Sequence, residues 1–206
     1  MKKRRPGGRT ARNQAAVFEA AAALLMEKEP GSLNMTEIAE RAGVAATSLY
    51  RRWGEVGALL LEVVVDQLNR EHPLPDTGSL DGDLRVWAQR ISTALRNKRG
   101  FAFFKVIVAS ASRGGVRDMA RARAMEPRLK QIEAMLNRAR DRGEQAPPVS
   151  EVLDHLLAPL YFRALFGAPG DSAFAAGLVD HLLRSCRDDR QLQISRVDKA
   201  SRENID

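Results

Sequence analysis

The sequence predicts an all-α chain. No segment alternates apolar and polar residues in the manner of a half-buried strand. Alanine, leucine, arginine and glutamate dominate, and apolar residues recur at three- and four-residue spacing between glycine and proline breaks.

The elements follow in order. Residues from about 10 to 29 form a first helix, with Ala15, Phe18, Ala22, Leu25 and Met26 on one face. Pro30-Gly31 ends it. Asn34 reads as an N-cap, with Glu37 three residues on completing a capping box. That second helix runs to about Ala42, and Gly43 breaks it. A third short helix holds Thr47 to Arg52, Gly54 marks the next turn, and the apolar run from Leu59 to Leu68 carries a fourth helix to about His72. "PLPDTGSLDGD" at 73–83 is the clearest break. Beyond it, helices are expected at roughly 80–97, 101–112, 114–125, 127–142, 150–167 and 172–185. Pro127 is placed as a first-turn residue, and Pro159 as a kink inside its helix. Residues 187–206 are polar and read as a tail or frayed extension.

Length and composition narrow the class. A chain of 206 residues holds one real core, or a small domain beside a medium one. Its 44% hydrophobic and 29% charged content is that of a globular protein. No apolar run reaches transmembrane length, and the basic N-terminus lacks the apolar stretch of a secretory signal. Cys186 is the single cysteine, so there is no disulfide framework, and a reducing, cytoplasmic setting is expected. The net charge of +7 predicts a polyanionic partner. Nearly all of that excess sits in the first twelve residues, as Lys2, Lys3, Arg4, Arg5, Arg9 and Arg12 with no acid among them. Such an arm is either a solvated tail or an electrostatic grip on nucleic acid.

"EIAERAGVAATSLYRRW" at 37–53 decides between them. Two short helices joined by a tight turn make a helix-turn-helix. Ala39 is small where the helices pack closely, and Gly43 supplies the positive φ of the turn. Ile38, Val44 and Leu49 pin the pair to the first helix. Ala45, Ala46, Thr47, Ser48, Tyr50 and Arg51 are left for an outer face of short, hydrogen-bonding or cationic side chains suited to a DNA major groove.

Residues 10–68 resemble the N-terminal domain of TetR-family transcriptional regulators, on "AAALLMEKEPGSLNMTEIAERAGVAATSLYRRW" and the following "GALLLEVV". The C-terminal half, from "LPDTGSL" through "LAPLYFRALFG" and "LVDHLLRSC", resembles one ligand domain of the same family. The resemblance implies about nine to ten helices: a helix-turn-helix DNA-binding domain followed by a helical ligand-binding and dimerisation domain. It implies a homodimer paired through the helices at about 150–167 and 172–185, a near-palindromic operator on double-stranded DNA, a small-molecule effector that releases the DNA, and no enzymatic step. The expected division is a basic arm at 1–9, a DNA-binding domain at 10–54, an effector and dimerisation domain at 55–186 and a polar tail at 187–206. Carried over, Thr36, Thr47, Ser48, Tyr50 and Arg51 match family positions that touch DNA, with Ser48 and Tyr50 on phosphates. Arg52 is expected to lay its stem over the bundle, and Trp53 to be core.

The chain departs from the family pattern after Trp53. A proline, a small capping residue and a lysine are usual there; this chain has Gly54, Glu55 and Val56. Ala46 also stands where a cation is frequent. The arm is expected to compensate, with Lys2, Lys3, Arg4, Arg5 and Arg9 reaching DNA and the first four entering the adjacent minor groove.

In the effector half, Trp87, Phe104, Met125, Leu136, Tyr161 and Phe162 form a candidate pocket set for a largely apolar effector, with Gln89, Arg90 and Arg163 as polar groups that could orient it. Leu153, Leu156, Leu157, Leu160, Leu178, Leu182 and Leu183 either pair two copies or close the monomer core. His155 and His181 read as surface or interface residues. No cofactor is expected, and no hydrolase, nucleotide-binding or metalloprotease motif occurs; the three histidines show no metal-ligand spacing in the sequence. The rival readings are a helical dimer that binds an effector or partner but has a weakened DNA head, and a transcriptional activator using the same head.

Overall fold

The computed structural model describes residues 8–109 and 115–203; of residues 9, 115–118, 120 and 188–203 it describes the backbone alone. The described residues form helices α1 (Gly8–Glu27), α2 (Met35–Ala42), α3 (Ala46–Trp53), α4 (Val56–Glu71), α5 (Leu80–Leu95), α6 (Lys98–Ala109), α7 (Gly115–Asp141), α8 (Val149–Val152), α9 (Ala158–Leu165) and α10 (Ser172–Glu203). A 3₁₀ turn at Pro30–Ser32 precedes α2, and a π turn at Leu153–Leu157 joins α8 to α9. No described helix is long and apolar enough to cross a membrane.

Packing divides the chain into two compact units. Of the described residues, one holds 8–73 with 97–109 and 115–128, the other 74–96 with 129–203. In the first unit, α1, α2, α3, α4 and α6 enclose one core of Val17, Phe18, Ala21, Leu24, Leu25, Met35, Ile38, Leu49, Leu59, Val63, Phe103 and Val106, among others. Each large side chain removed from water there stabilises by about 1.5–3 kcal/mol. The inward face of α1 is Val17, Phe18, Ala21, Leu24 and Leu25; Ala15, expected on that face, is exposed. Ala15 lies three residues before Phe18, but the apolar arc is centred one residue to the other side, on Val17, Ala21 and Leu24.

The local signals at α2 hold in part. Asn34 caps the helix, its Oδ1 accepting from the Glu37 N–H at 3.0 Å. The reciprocal half of the expected capping box is replaced: the Glu37 carboxylate pairs with the Lys28 ammonium just past the end of α1. A cation is a stronger partner for a carboxylate than a backbone amide.

In the second unit, α5 lies along α10. Ser79 caps α5 by accepting from the Gly82 N–H at 3.1 Å. The buried Asp83 carboxylate accepts from the Thr77 N–H at 2.6 Å and the Thr77 hydroxyl at 2.8 Å. The Leu80 N–H donates to Glu144 at 2.8 Å, and this bond with the neighbouring Arg142 guanidinium holds the Glu144 acid below the usual carboxylate range. A depressed acid contributes its stability above the ordinary carboxylate range and loses it as pH falls through the folded value.

Two expectations for the C-terminal part of the sequence are corrected. The helices expected at 114–125 and 127–142 are one helix, α7, with Pro127 inside it rather than in a first turn. Proline there removes the hydrogen bond to the Arg123 carbonyl, a cost that the helix-forming run on both sides outweighs. Pro159 does not merely kink its helix. It has no N–H for the His155 carbonyl, and the backbone widens to a π turn in which the Ala158 N–H donates to the Leu153 carbonyl. The backbone of α10 continues to Glu203, which is the extension alternative for the segment read as a polar tail or frayed extension.

Candidate nucleic-acid interface

The turn between α2 and α3 is built by Gly43, whose backbone is left-handed at φ 67°, ψ 35°. Its N–H donates to the Glu40 carbonyl at 3.2 Å, and the Val44 N–H reaches back to the Ala39 carbonyl at 3.0 Å. This is a Schellman ending, and Val44 packs against the core that includes Ala39. Gly54, at φ 75° and ψ −51°, ends α3 in a region that residues with a side chain rarely adopt.

Within α3, Ala46, Leu49 and Trp53 are spaced to share one side. Leu49 is buried, and Ala46 and Trp53 pack half-buried against the same core. Ala46, expected on the reading face, therefore turns inward. The rest of the helix surface carries Thr47, Ser48, Tyr50, Arg51 and Arg52, all exposed. Ala45 precedes them, exposed and without a side-chain cap, and Thr36 is exposed in the first turn of α2. No acidic residue stands in the first turn of α3. The Ser48 N–H donates to the Ala45 carbonyl at 3.0 Å, and the first amides before it, with the Thr47 and Ser48 hydroxyls beside them, offer donors to a phosphate or base edge.

The reading face is held from beneath by a residue the sequence reading overlooked. Glu62 on α4 accepts from the Trp53 Nε1–H at 2.6 Å and from the Gln14 side chain at 3.3 Å, tying α1, α3 and α4 at one carboxylate. Trp53 also meets Phe18 with ring centres 6.3 Å apart, and the Arg52 guanidinium covers the Trp53 ring at 4.7 Å. A glutamate seven residues into an apolar helix carries no sequence signal of its own. Glu62→Ala leaves the half-buried indole N–H without that acceptor and is expected to cost about 1–3 kcal/mol. Thermal unfolding measures this, and Glu62→Gln should recover part of it.

Charge on the head is partly internally spent. Arg41 binds Glu27 through two bonds of 2.7 Å, which holds the Glu27 acid below its usual range. Glu55 sits half-buried at the entry to α4, with no side-chain capping bond, and Val56 begins that helix. Lys2, Lys3, Arg4 and Arg5 lie outside the described residues, as does the Arg9 side chain; the helix that follows begins at Gly8, within the segment expected to be an arm.

The candidate effector residues are less united. Phe104 and Met125 belong to the first unit, where Phe104 is buried and Met125 packs against the head's core. Trp87, Leu136, Tyr161 and Phe162 belong to the second. Trp87 and Leu136 are buried and Tyr161 half-buried, but Phe162 is 63% exposed and lines no interior of its unit. Gln89 and Arg90 are exposed. Arg163 stacks over Phe174 at 4.5 Å and donates to the Ala168 carbonyl at 3.1 Å, which is a bracing role rather than ligand orientation. Leu156, Leu160 and Leu182 close the second unit's own core, whereas Leu153, Leu157, Leu178 and Leu183 are half-buried. The apolar surface left over is Phe162, Leu165 and Phe166, at 63%, 52% and 71% exposed.

Comparison with known proteins agrees with this geometry. A family model described as bacterial regulatory proteins, tetR family, matches residues 17–63. A second, described as tetracyclin repressor-like, C-terminal domain, matches residues 74–182. The HTH-type transcriptional regulator AqdR of Rhodococcus erythropolis is 33% identical over 136 residues, which are 66% of this chain and 65% of that protein, just under two thirds of its length. The DNA-binding transcriptional repressor TetR of Mycobacteroides abscessus is 29% identical over 174 residues, 82% of this chain and 90% of that one. The crystal structure of a TetR family transcription regulator superposes with a TM-score of 0.72 at 26% identity, covering 84% of this chain and 97% of that one.

Proposed function

The chain belongs to the TetR family and is a DNA-binding transcriptional regulator, and on that premise we propose that it is a ligand-released repressor that binds a near-palindromic operator as a homodimer. The observation that carries this reading is the α3 face: Thr47, Ser48, Tyr50 and Arg51 are exposed on a helix whose underside is locked into a core by Leu49 and Trp53. A rigidly seated helix with short polar side chains outward is what major-groove readout requires. The repressor assignment is supported by the relative from Mycobacteroides abscessus named as one. In this reading residues 10–54 form the reading head and residues 55–186 the effector and dimerisation part.

Two heads related by a twofold axis meet half-sites one helical turn, about 34–36 Å, apart or somewhat more. The exposed Phe162 and Leu165 of α9, with Phe166 just after its end, supply an apolar patch for that pairing. Selection of binding sites from a random duplex pool tests the reading. Inverted repeats support it; single half-sites, or no enrichment, count against it.

The basic arm is assigned to the adjacent minor groove, with Lys2, Lys3, Arg4 and Arg5 offsetting the absent cation at Val56. Removing residues 1–8 is then expected to weaken binding and to flatten its salt dependence by about one unit of slope for each phosphate no longer neutralised. Anisotropy titrations at several salt concentrations read the slope directly, and an unchanged slope sinks the idea.

Glu55 and Val56 at the entry to α4 favour a second reading, in which the head is weakened and the chain serves chiefly as an effector- or partner-binding dimer. It predicts no preference among duplexes in the same selection.

A further inference from the structure

Among the described residues one cation is buried: Arg128, on α7, is 8% exposed. A guanidinium taken out of water is costly unless polar groups receive it. Its partners stand at the end of α4. Arg128 Nη1 donates to the His72 carbonyl at 3.1 Å and to the Asn69 side-chain oxygen at 3.5 Å. His72 is the cap of α4, at φ −130° and ψ 61°, where the helix has ended. The next residue, Pro73, has no N–H to return to the last turn. The carbonyls there carry the negative end of the helix dipole, for which a cation is the favoured partner. The segment of α7 that carries Arg128 is itself seated. Ala124 and Met125, one turn earlier on the same side, pack against the head's core.

Nearer its other end, α4 is held by a second polar side chain. Glu62 accepts from the Trp53 Nε1–H at 2.6 Å and from Gln14 at 3.3 Å, so it fastens α4 to the end of α3 and to α1. Between the two ties Val63, Val64 and Val65 are buried. The ties lie about 15 Å apart along one unbroken helix. A rigid element of that kind passes a shift at one end to the other. Every residue in this chain of contacts belongs to the first unit.

We propose that Arg128 is a positioning residue for DNA reading: its grip on the end of α4 sets, through Glu62 and Trp53, the aim of α3. The role rests on the assignment of α3 as the reading element. Arg128 is buried and offers no charge to a phosphate. Its contribution is therefore to which duplex is preferred, and not to the electrostatic attraction common to all duplexes.

The test uses the full-length protein and two fluorescein-labelled duplexes, the operator recovered by random-pool selection and a scrambled duplex of equal length. Arg128→Met keeps an apolar stem and removes the charge; His72 is exposed, so water can take over at its carbonyl. Circular dichroism and thermal unfolding establish a temperature at which every variant is folded. In Arg128→Met the preference for the operator is expected to fall about tenfold, the size of one lost base contact. Affinity for the scrambled duplex and the salt slope should stay as in wild type, and Arg128→Lys should keep part of the preference. Glu62→Ala supplies a second arm. Sites this far apart act additively when they are independent. With α4 as the link, Arg128→Met should cost less preference in Glu62→Ala than in wild type. An unchanged preference in Arg128→Met overturns the proposal, as do additive losses in the double variant. Tyr50→Ala with Arg51→Ala keeps the two claims apart. If that pair abolishes the preference and Arg128→Met does not lower it, the positioning role alone fails. If wild type shows no preference, or that pair leaves it intact, the reading assigned to α3 fails and the proposal with it.

Discussion

Phe162→Asp combined with Phe166→Asp is expected to convert the protein to a monomer and to lower its operator affinity by a factor on the order of 10²–10⁴. Both side chains are largely exposed within one copy, at 63% and 71%, and they stack on each other rather than into the core. Charging them therefore leaves the fold of the single chain untouched. In a dimer sealed by this patch the same carboxylates would be driven out of water, which costs several kcal/mol for each ion left unpaired. The two heads would then bind their half-sites independently, and the gain from tethering would vanish. Light scattering reads the mass, circular dichroism the fold, and anisotropy the affinity. An unaltered mass for the double variant would mean that any self-association uses another surface.

Gly43→Val is the second large effect, and it acts on the head itself. The left-handed backbone at φ 67° costs any residue with a Cβ, and a β-branched one most. A Cβ built at Gly43 meets no neighbour within 4 Å, so the cost is conformational and not steric crowding. It should amount to about 1–3 kcal/mol, or a fall in melting temperature of roughly 2–12 °C. The alternative open to the chain is to abandon the Schellman ending, which would re-aim α3. DNA binding should then fall further than stability does, measured at a temperature where the variant is folded. Gly43→Asn, which tolerates the left-handed region, should retain most of both. Wild-type stability and binding in Gly43→Val would contradict the role given to the turn.

Much of the head was legible because its signals are local. Asn34 before an apolar-periodic run, Gly43 after it and Gly54 after the next each mark a helix end by backbone chemistry that needs no tertiary partner. The inward face of α3 was half legible. Leu49 was read as core and Trp53 as core, but Ala46, one turn before Leu49, has a side chain too small to declare its side. The carboxylate of Glu62 was invisible for a different reason: its partners, Trp53 and Gln14, come from two other helices. Proline misled twice. Pro127 is carried inside α7 by the strong helix formers around it, and Pro159 is absorbed by one wide turn; neither outcome follows from the residue alone. That the His155 and His181 rings lie 5.9 Å apart could not be found by spacing, since separation along the chain does not report adjacency between packed elements. For the effector set, large apolar residues served as the only guide, and such residues fill cores at least as often as pockets. Phe162 proved exposed, and Trp87 and Leu136 sit in the interior of their unit.

The reading face of α3 is the centre of the account, and one titration bears on it most directly. The purified protein is titrated at two salt concentrations against the intergenic duplex upstream of its own coding sequence, with a scrambled duplex of equal length as control. Saturable binding that prefers the upstream duplex, weakens steeply with salt and is lost in Tyr50→Ala with Arg51→Ala is the predicted result. Equal, weak binding to both duplexes that the double substitution leaves unchanged would contradict the assignment of α3 as the element that reads DNA.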